Sequence, residues 1–152
     1  MKIVVYCMRG PRHTFVTRRW PERYFTGLSP KMRLVREKEL LKRRTTPYSK
    51  LKLSKSNTRA KPKKSKWTAL FHKTFPGLRF DKDAISRRTG IKRSALNTVY
   101  NRGLKAWKTG GSRVGANPYQ WAVARVYKFV LVSKLKIPTT KFDPDQNLRS
   151  KV

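Results

Sequence analysis

Few residues of this 152-residue chain could carry covalent or metal chemistry, and they do not cluster. The two histidines, His13 and His72, are far apart in sequence, and His72 follows Phe71 in an apolar helical pattern where a structural role is the commoner one. Cys7 is the single cysteine; it has no neighbouring His or acid to activate it as a nucleophile requires, and alone it forms no intrachain disulfide. No Cys/His grouping has zinc spacing. Among the seven acids, Asp81/Asp83 and Asp143/Asp145 make close pairs. The first reads as a helix cap; the second, split by Pro144, reads as a loop with some capacity for a cation. A non-enzymatic protein with no cofactor and no metal is expected.

One loop has the composition of a phosphate cradle. Gly110-Gly111-Ser112-Arg113-Val114-Gly115 would expose backbone N–H groups, Arg113 adds charge, and a helix starts soon after at Pro118. The loop lacks the Gly-Lys-Ser/Thr ending of a nucleotide-binding P-loop. A rigid connection that packs helix against helix is the stronger reading.

A second pattern is better formed. Ile85, Gly90, Ile91, Leu96 and Val99 fall where a helix-turn-helix needs apolar residues and its turn glycine. The second helix would then present Lys92, Arg93, Ser94, Asn97, Thr98 and Asn101 to the outside. These groups contact phosphates and base edges. The alternative is that the two helices are simply the core of a small helical domain.

Charge points the same way. Lys and Arg number 39 against 7 Asp and Glu, a formal net charge of +32. A compact chain so charged repels itself unless a polyanion neutralises it, so the expected partner is DNA, RNA, an anionic membrane or an acidic protein surface. Candidate contacts besides the helix-turn-helix are Arg113 and the basic residues Lys42, Arg43, Arg44, Lys61, Lys63, Lys64 and Lys66. No stretch approaches the roughly 18 apolar residues of a membrane span.

The elements that must position these groups are mainly α-helical. Residues 2–8 read as a short strand. Ser29-Pro30 suits a helix start, and residues 30–44 are good helix formers. Residues 45–66 hold no acid and too little apolar surface to offset ordering entropy. Trp67, Leu70, Phe71, Thr74 and Phe75 then share one helix face. Asp81 can cap a helix that ends at Gly90, and Ser94 can cap the next, which ends near Arg102-Gly103 or runs to Trp107. Asn117-Pro118 opens a last helix that is apolar nearly all round and therefore buried. The organisation expected is a basic extended arm over 1–66 with a helix at 30–44, a helical domain over 67–137 and a polar tail over 138–152. The arm alone carries 21 basic and 3 acidic residues, a net charge of +18.

The segments 101–107 (Asn-Arg-Gly-Leu-Lys-Ala-Trp), 110–113 (Gly-Gly-Ser-Arg) and 117–130 (Asn-Pro-Tyr-Gln-Trp-Ala-Val-Ala-Arg-Val-Tyr-Lys-Phe-Val) resemble a family of small basic proteins of large nucleocytoplasmic double-stranded DNA viruses. In that family a glycine–aromatic segment leads to a Gly-Ser-Arg loop and then a helix with Trp, Ala-Arg and an aromatic. The similarity covers roughly residues 28–132 and is specific at 103–130. The family carries no assigned activity, so what the resemblance implies is a setting. A virion component is expected, assembled in the host cytoplasm or nucleus. The first reading is a minor capsid protein whose arm meets other capsid proteins, packaged double-stranded DNA or an anionic inner membrane surface. The alternative is a helix-turn-helix DNA-binding or genome-condensing protein.

Overall fold

The computed structural model describes residues 5–7, 15–17, 20–50, 64–110, 112–139 and 143–149. The strand expected near the start is β1 (Val5–Cys7), paired antiparallel with β2 (Phe15–Thr17) so that Tyr6 lies opposite Val16; the sequence reading held no second strand. The remaining regular elements of the described chain are helices, in the order α1 (Pro30–Thr45), α2 (Lys66–Thr74), α3 (Lys82–Thr89), α4 (Arg93–Gly110), α5 (Pro118–Leu135) and α6 (Gln146–Arg149), with short 3-10 turns at Glu22–Tyr24 and Tyr48–Lys50.

Local chemistry sets most of these boundaries. Ser29 Oγ accepts the Met32 N–H at 3.4 Å, and Pro30 occupies the first turn of α1. Ser65 Oγ accepts the Trp67 N–H at 3.3 Å to start α2. Asn117 and Gln120 form a reciprocal capping box ahead of α5. Two expectations need correction at α4. Ser94 lies inside the helix rather than capping it, because the Lys92 carbonyl already accepts the Leu96 N–H at 3.2 Å. The helix also runs through Gly103 and past Trp107 to Gly110. Gly103 is there for close packing: a Cβ at that position would stand 2.7 Å from the Ala122 Cα of α5. The missing side chain lets the two longest helices touch backbone to backbone.

The main core lies between α2, α3, α4 and α5. Phe71, Ile85, Ile91, Leu96, Val99, Val126, Tyr127, Phe129, Val130 and Leu131 are buried together. Phe71 stacks on Tyr127 at 4.0 Å between ring centres. As its all-round apolar pattern predicts, α5 is buried along most of its length.

Residues 20–45, assigned from sequence to an extended arm, pack against this body. Trp20, Tyr24 and Phe25 form a second apolar cluster with Leu40 of α1, and two buried arginines tie α1 to α4 and to the loop that follows it. Arg36 is fully buried; its guanidinium donates to the Ser112 carbonyl, to Ser112 Oγ at 3.2 Å and to the Tyr24 carbonyl at 3.4 Å. Glu39 lies 3.1 Å from Arg36 and 3.6 Å from Arg43. Arg43 lies over the Trp107 ring at 4.1 Å and donates to the Trp107 carbonyl at 2.9 Å. Burial, helped by the neighbouring Arg36 charge, lowers the Arg43 pKa to about 10, so it stays charged at neutral pH.

The other flank closes similarly. Asp145 is buried and takes two hydrogen bonds from Arg125, at 2.9 and 3.0 Å, and one from Arg102 at 3.2 Å. Asp143 pairs with Arg149, and Leu148 packs on the main core. The acid pair that read as a potential cation loop is engaged by three arginines of the chain itself.

Candidate nucleic-acid interface

The unit α3–turn–α4 is built as a helix-turn-helix. Asp81 accepts the Asp83 N–H at 2.9 Å to open α3. Thr89 Oγ1 donates to the Ile85 carbonyl at 2.6 Å and accepts the Ile91 N–H at 3.4 Å, stitching the turn to the helix it leaves. Gly90 between them has φ 73°, a left-handed conformation that glycine adopts without strain. With Ile85, Ile91, Leu96 and Val99 all buried, the opposite side of α4 must face outward.

That face carries Arg93, Ser94, Asn97, Thr98 and Asn101, all exposed, with exposed Lys92 in the turn just before it. Here the structure brings together the five residues singled out from sequence as binding groups, Lys92, Arg93, Ser94, Asn97 and Asn101. Their side chains are partly pre-set from α3. Arg93 Nε lies 2.8 Å from Asp83. Lys82 donates to Asn97 Oδ1 at 2.7 Å while its ammonium sits 4.3 Å from the Tyr100 ring centre. Tyr100 is in turn stacked on Phe80, and burial raises its phenol pKa. Lys82 and Asp83 were read from sequence only as part of a helix start; their roles depend on how α3 crosses α4.

Further cations border this face. Arg87 and Arg88 are exposed in the last turn of α3. Lys134 of α5 hangs beside the turn, its ammonium 3.9 Å from where a Gly90 Cβ would stand. None of the three was a candidate from sequence, although the paired arginines just before Gly90 are a legible sign. There is no acidic residue anywhere in α2, α4 or α5.

The remaining candidates lie elsewhere. Arg113 is exposed, but its loop follows the C-terminus of α4, about 27 Å along an 18-residue helix from Arg93. The loop itself is a structural joint: Ser112 and Val114 are buried and Trp107 Nε1 donates to the Ala116 carbonyl at 2.8 Å. Lys42 is exposed on α1. Arg43 must be removed from the surface set, since its guanidinium is committed to Glu39 and Trp107. Arg44 lies over the Trp20 ring at 4.4 Å, and Lys66 lies 5.1 Å from the Trp67 ring centre. Lys64 is exposed, while Lys61 and Lys63 fall outside the described residues. Among the described residues no group of three or more His, Cys, Asp or Glu is placed to hold a metal ion. No helix among them is long and apolar enough to cross a membrane.

The architecture is thus a mainly helical one, with a helix-turn-helix-like pair resting on the buried helix α5. The chain belongs to a family of unknown function, DUF5824, whose profile matches residues 21–149. That span starts at the aromatic cluster beside α1 and ends at Arg149, so it takes in both flanking segments that pack on the core. No curated protein and no solved structure matches the chain.

Proposed function

We propose that the protein is a non-enzymatic DNA-binding component of a large double-stranded DNA virus particle, which places α4 against duplex DNA and lays its basic segments along the phosphates. The viral setting rests on the sequence resemblance. The observation that carries the DNA-binding part is the outer face of α4, where Arg93, Asn97 and Asn101 are exposed together beside Lys92 of the turn, on a helix anchored by the buried side chains of Ile91, Leu96 and Val99. Cations there neutralise phosphates, and asparagine side chains suit base edges, adenine above all.

A shell-facing role as a minor capsid protein has less geometric support. The exposed large apolar residues among those described are Leu34, Tyr119 and Leu135. Tyr119 and Leu135 stand roughly 24 Å apart along α5, so they form no contiguous docking patch.

Fluorescence anisotropy with duplex DNA over a salt series tests the proposal. Binding should weaken with a log–log slope of about 0.9 per phosphate neutralised, and replacing Arg93 and Asn97 together should reduce sequence preference. Mass spectrometry of purified particles, washed in high salt with and without nuclease, separates the two virion roles. Loss together with the DNA supports the genome-bound role; retention at fixed copy number in DNA-free shells would favour the capsid one.

A further inference from the structure

Two acids stand near the proposed DNA face, and they are used differently. Asp81 is turned onto its own helix, where it accepts the Asp83 N–H at 2.9 Å. Asp83 points across the turn to α4, with Oδ1 2.8 Å from Arg93 Nε. Both side chains of this ion pair are largely in solvent, Asp83 at 51% and Arg93 at 66% exposure. A pair that open adds little to folding. Its carboxylate oxygen nevertheless occupies the position a DNA phosphate oxygen would take against the same guanidinium.

From this we infer that Asp83 is a specificity-determining residue: it occupies Arg93 and repels phosphates, lowering affinity for arbitrary DNA more than for a preferred site. The inference rests on the DNA-binding reading above. Non-specific affinity depends on how many phosphates the protein neutralises with free cations. While Asp83 holds Arg93, that count is one lower, and the carboxylate adds a like charge facing the backbone. At a preferred site, base-edge contacts from Asn97 and Asn101 seat α4 in the groove. The exposed pair is then weak enough to open and release Arg93. The repulsive element thus acts mainly against wrong sequences, which is how specificity is commonly built.

The test uses the full chain as parent, D83N, R93Q and the double variant, with circular dichroism to confirm equal helicity; D83S, which also suits a first helical turn, repeats the D83N arm independently. Binding is measured on a random-sequence duplex and on a duplex selected with the parent, across a KCl series. On random DNA, D83N should bind more tightly, with a slope steeper by about 0.9. That gain should fall in the R93Q background to the smaller part that comes from removing the carboxylate's own repulsion, and the preference for the selected duplex should shrink. An unchanged slope in D83N and D83S, or a gain undiminished in the R93Q background, overturns the inference while leaving the DNA-binding reading intact. A parent that binds no duplex overturns that reading, and the inference with it.

Discussion

The Arg43 guanidinium lies over the Trp107 ring at 4.1 Å and donates to that residue's own carbonyl at 2.9 Å. One side chain of the basic N-terminal region thereby caps an aromatic ring and a helix carbonyl of α4. Removing it takes one arginine away from Glu39 and one donor away from the Trp107 carbonyl. Arg43→Ala should therefore destabilise the fold by about 3 kcal/mol, as loss of a buried charged hydrogen-bond partner does. Arg43→Lys, which keeps charge but loses the planar fork, should fall between. Urea denaturation of the three proteins checks this; an Arg43→Ala midpoint equal to the parent's would show that α1 is held without it, by Arg36 and the apolar contacts.

Gly103 of α4 faces Ala122 of α5 where the two helices pack together. Alanine in mid-helix normally gains about 1 kcal/mol over glycine. Here the new methyl would meet the Ala122 Cα at 2.7 Å, and overpacking of this kind costs about 1–3 kcal/mol. Gly103→Ala should lower the melting temperature, and Ala122→Gly in the same chain should recover part of the loss. Additive effects of the two changes would mean the crossing can spread freely.

Asp145 is the buried acceptor shared by Arg125 and Arg102. Asp145→Asn leaves two guanidiniums facing a neutral amide, and breaking such a buried pair costs about 3–5 kcal/mol. Limited proteolysis should then cut residues 143–149 much faster than the rest of the body, and hydrogen exchange should rise there first. Unchanged protection would assign the anchoring to Leu148 and Asp143 instead.

The alkaline limb of stability should follow two phenols. Burial raises the pKa of Tyr127, and burial with the nearby Tyr119 raises that of Tyr100, above the ordinary value of 10.0. The folded state thus holds these protons more tightly than the unfolded chain. Their contribution is complete below pH 10 and is lost as pH rises through the raised values. Arg43 acts in the opposite sense, because burial lowers its pKa to about 10: the unfolded chain binds its proton more tightly, so its term rises as pH climbs past about 10. Melting curves with phenolate absorbance should show the loss above pH 10, and Tyr127→Phe should flatten it. A Tyr127→Phe curve superimposable on the parent's would exclude that phenol as a cause.

The helices were legible in sequence because their signals are local. Ser29-Pro30, Asp81, Gly90 and Asn117-Pro118 mark their ends within a few residues of chain. The outer face of α4 was legible for the same reason, since spacing alone puts Arg93, Asn97 and Asn101 on one side. What the spacing could not show is which charges meet across elements. Arg36 and Ser112 are bonded although 76 positions separate them. Arg43 sits in a run of basic residues whose composition suggests solvent, yet Trp107 gives it a buried seat. The hold of Lys82 on Asn97 and of Asp83 on Arg93 likewise depends on the crossing of α3 and α4.

The Asp145 clamp has a consequence for the order of events during synthesis. Arg102 belongs to α4 and Arg125 to α5, and one carboxylate reaches both. A slip of one residue in either helix would turn its arginine by about 100° and break the convergence. Asp145 follows both helices along the chain, so it leaves the ribosome after them. It can close only on a pair already aligned, and a nascent chain in the wrong register would keep this last segment open to a protease.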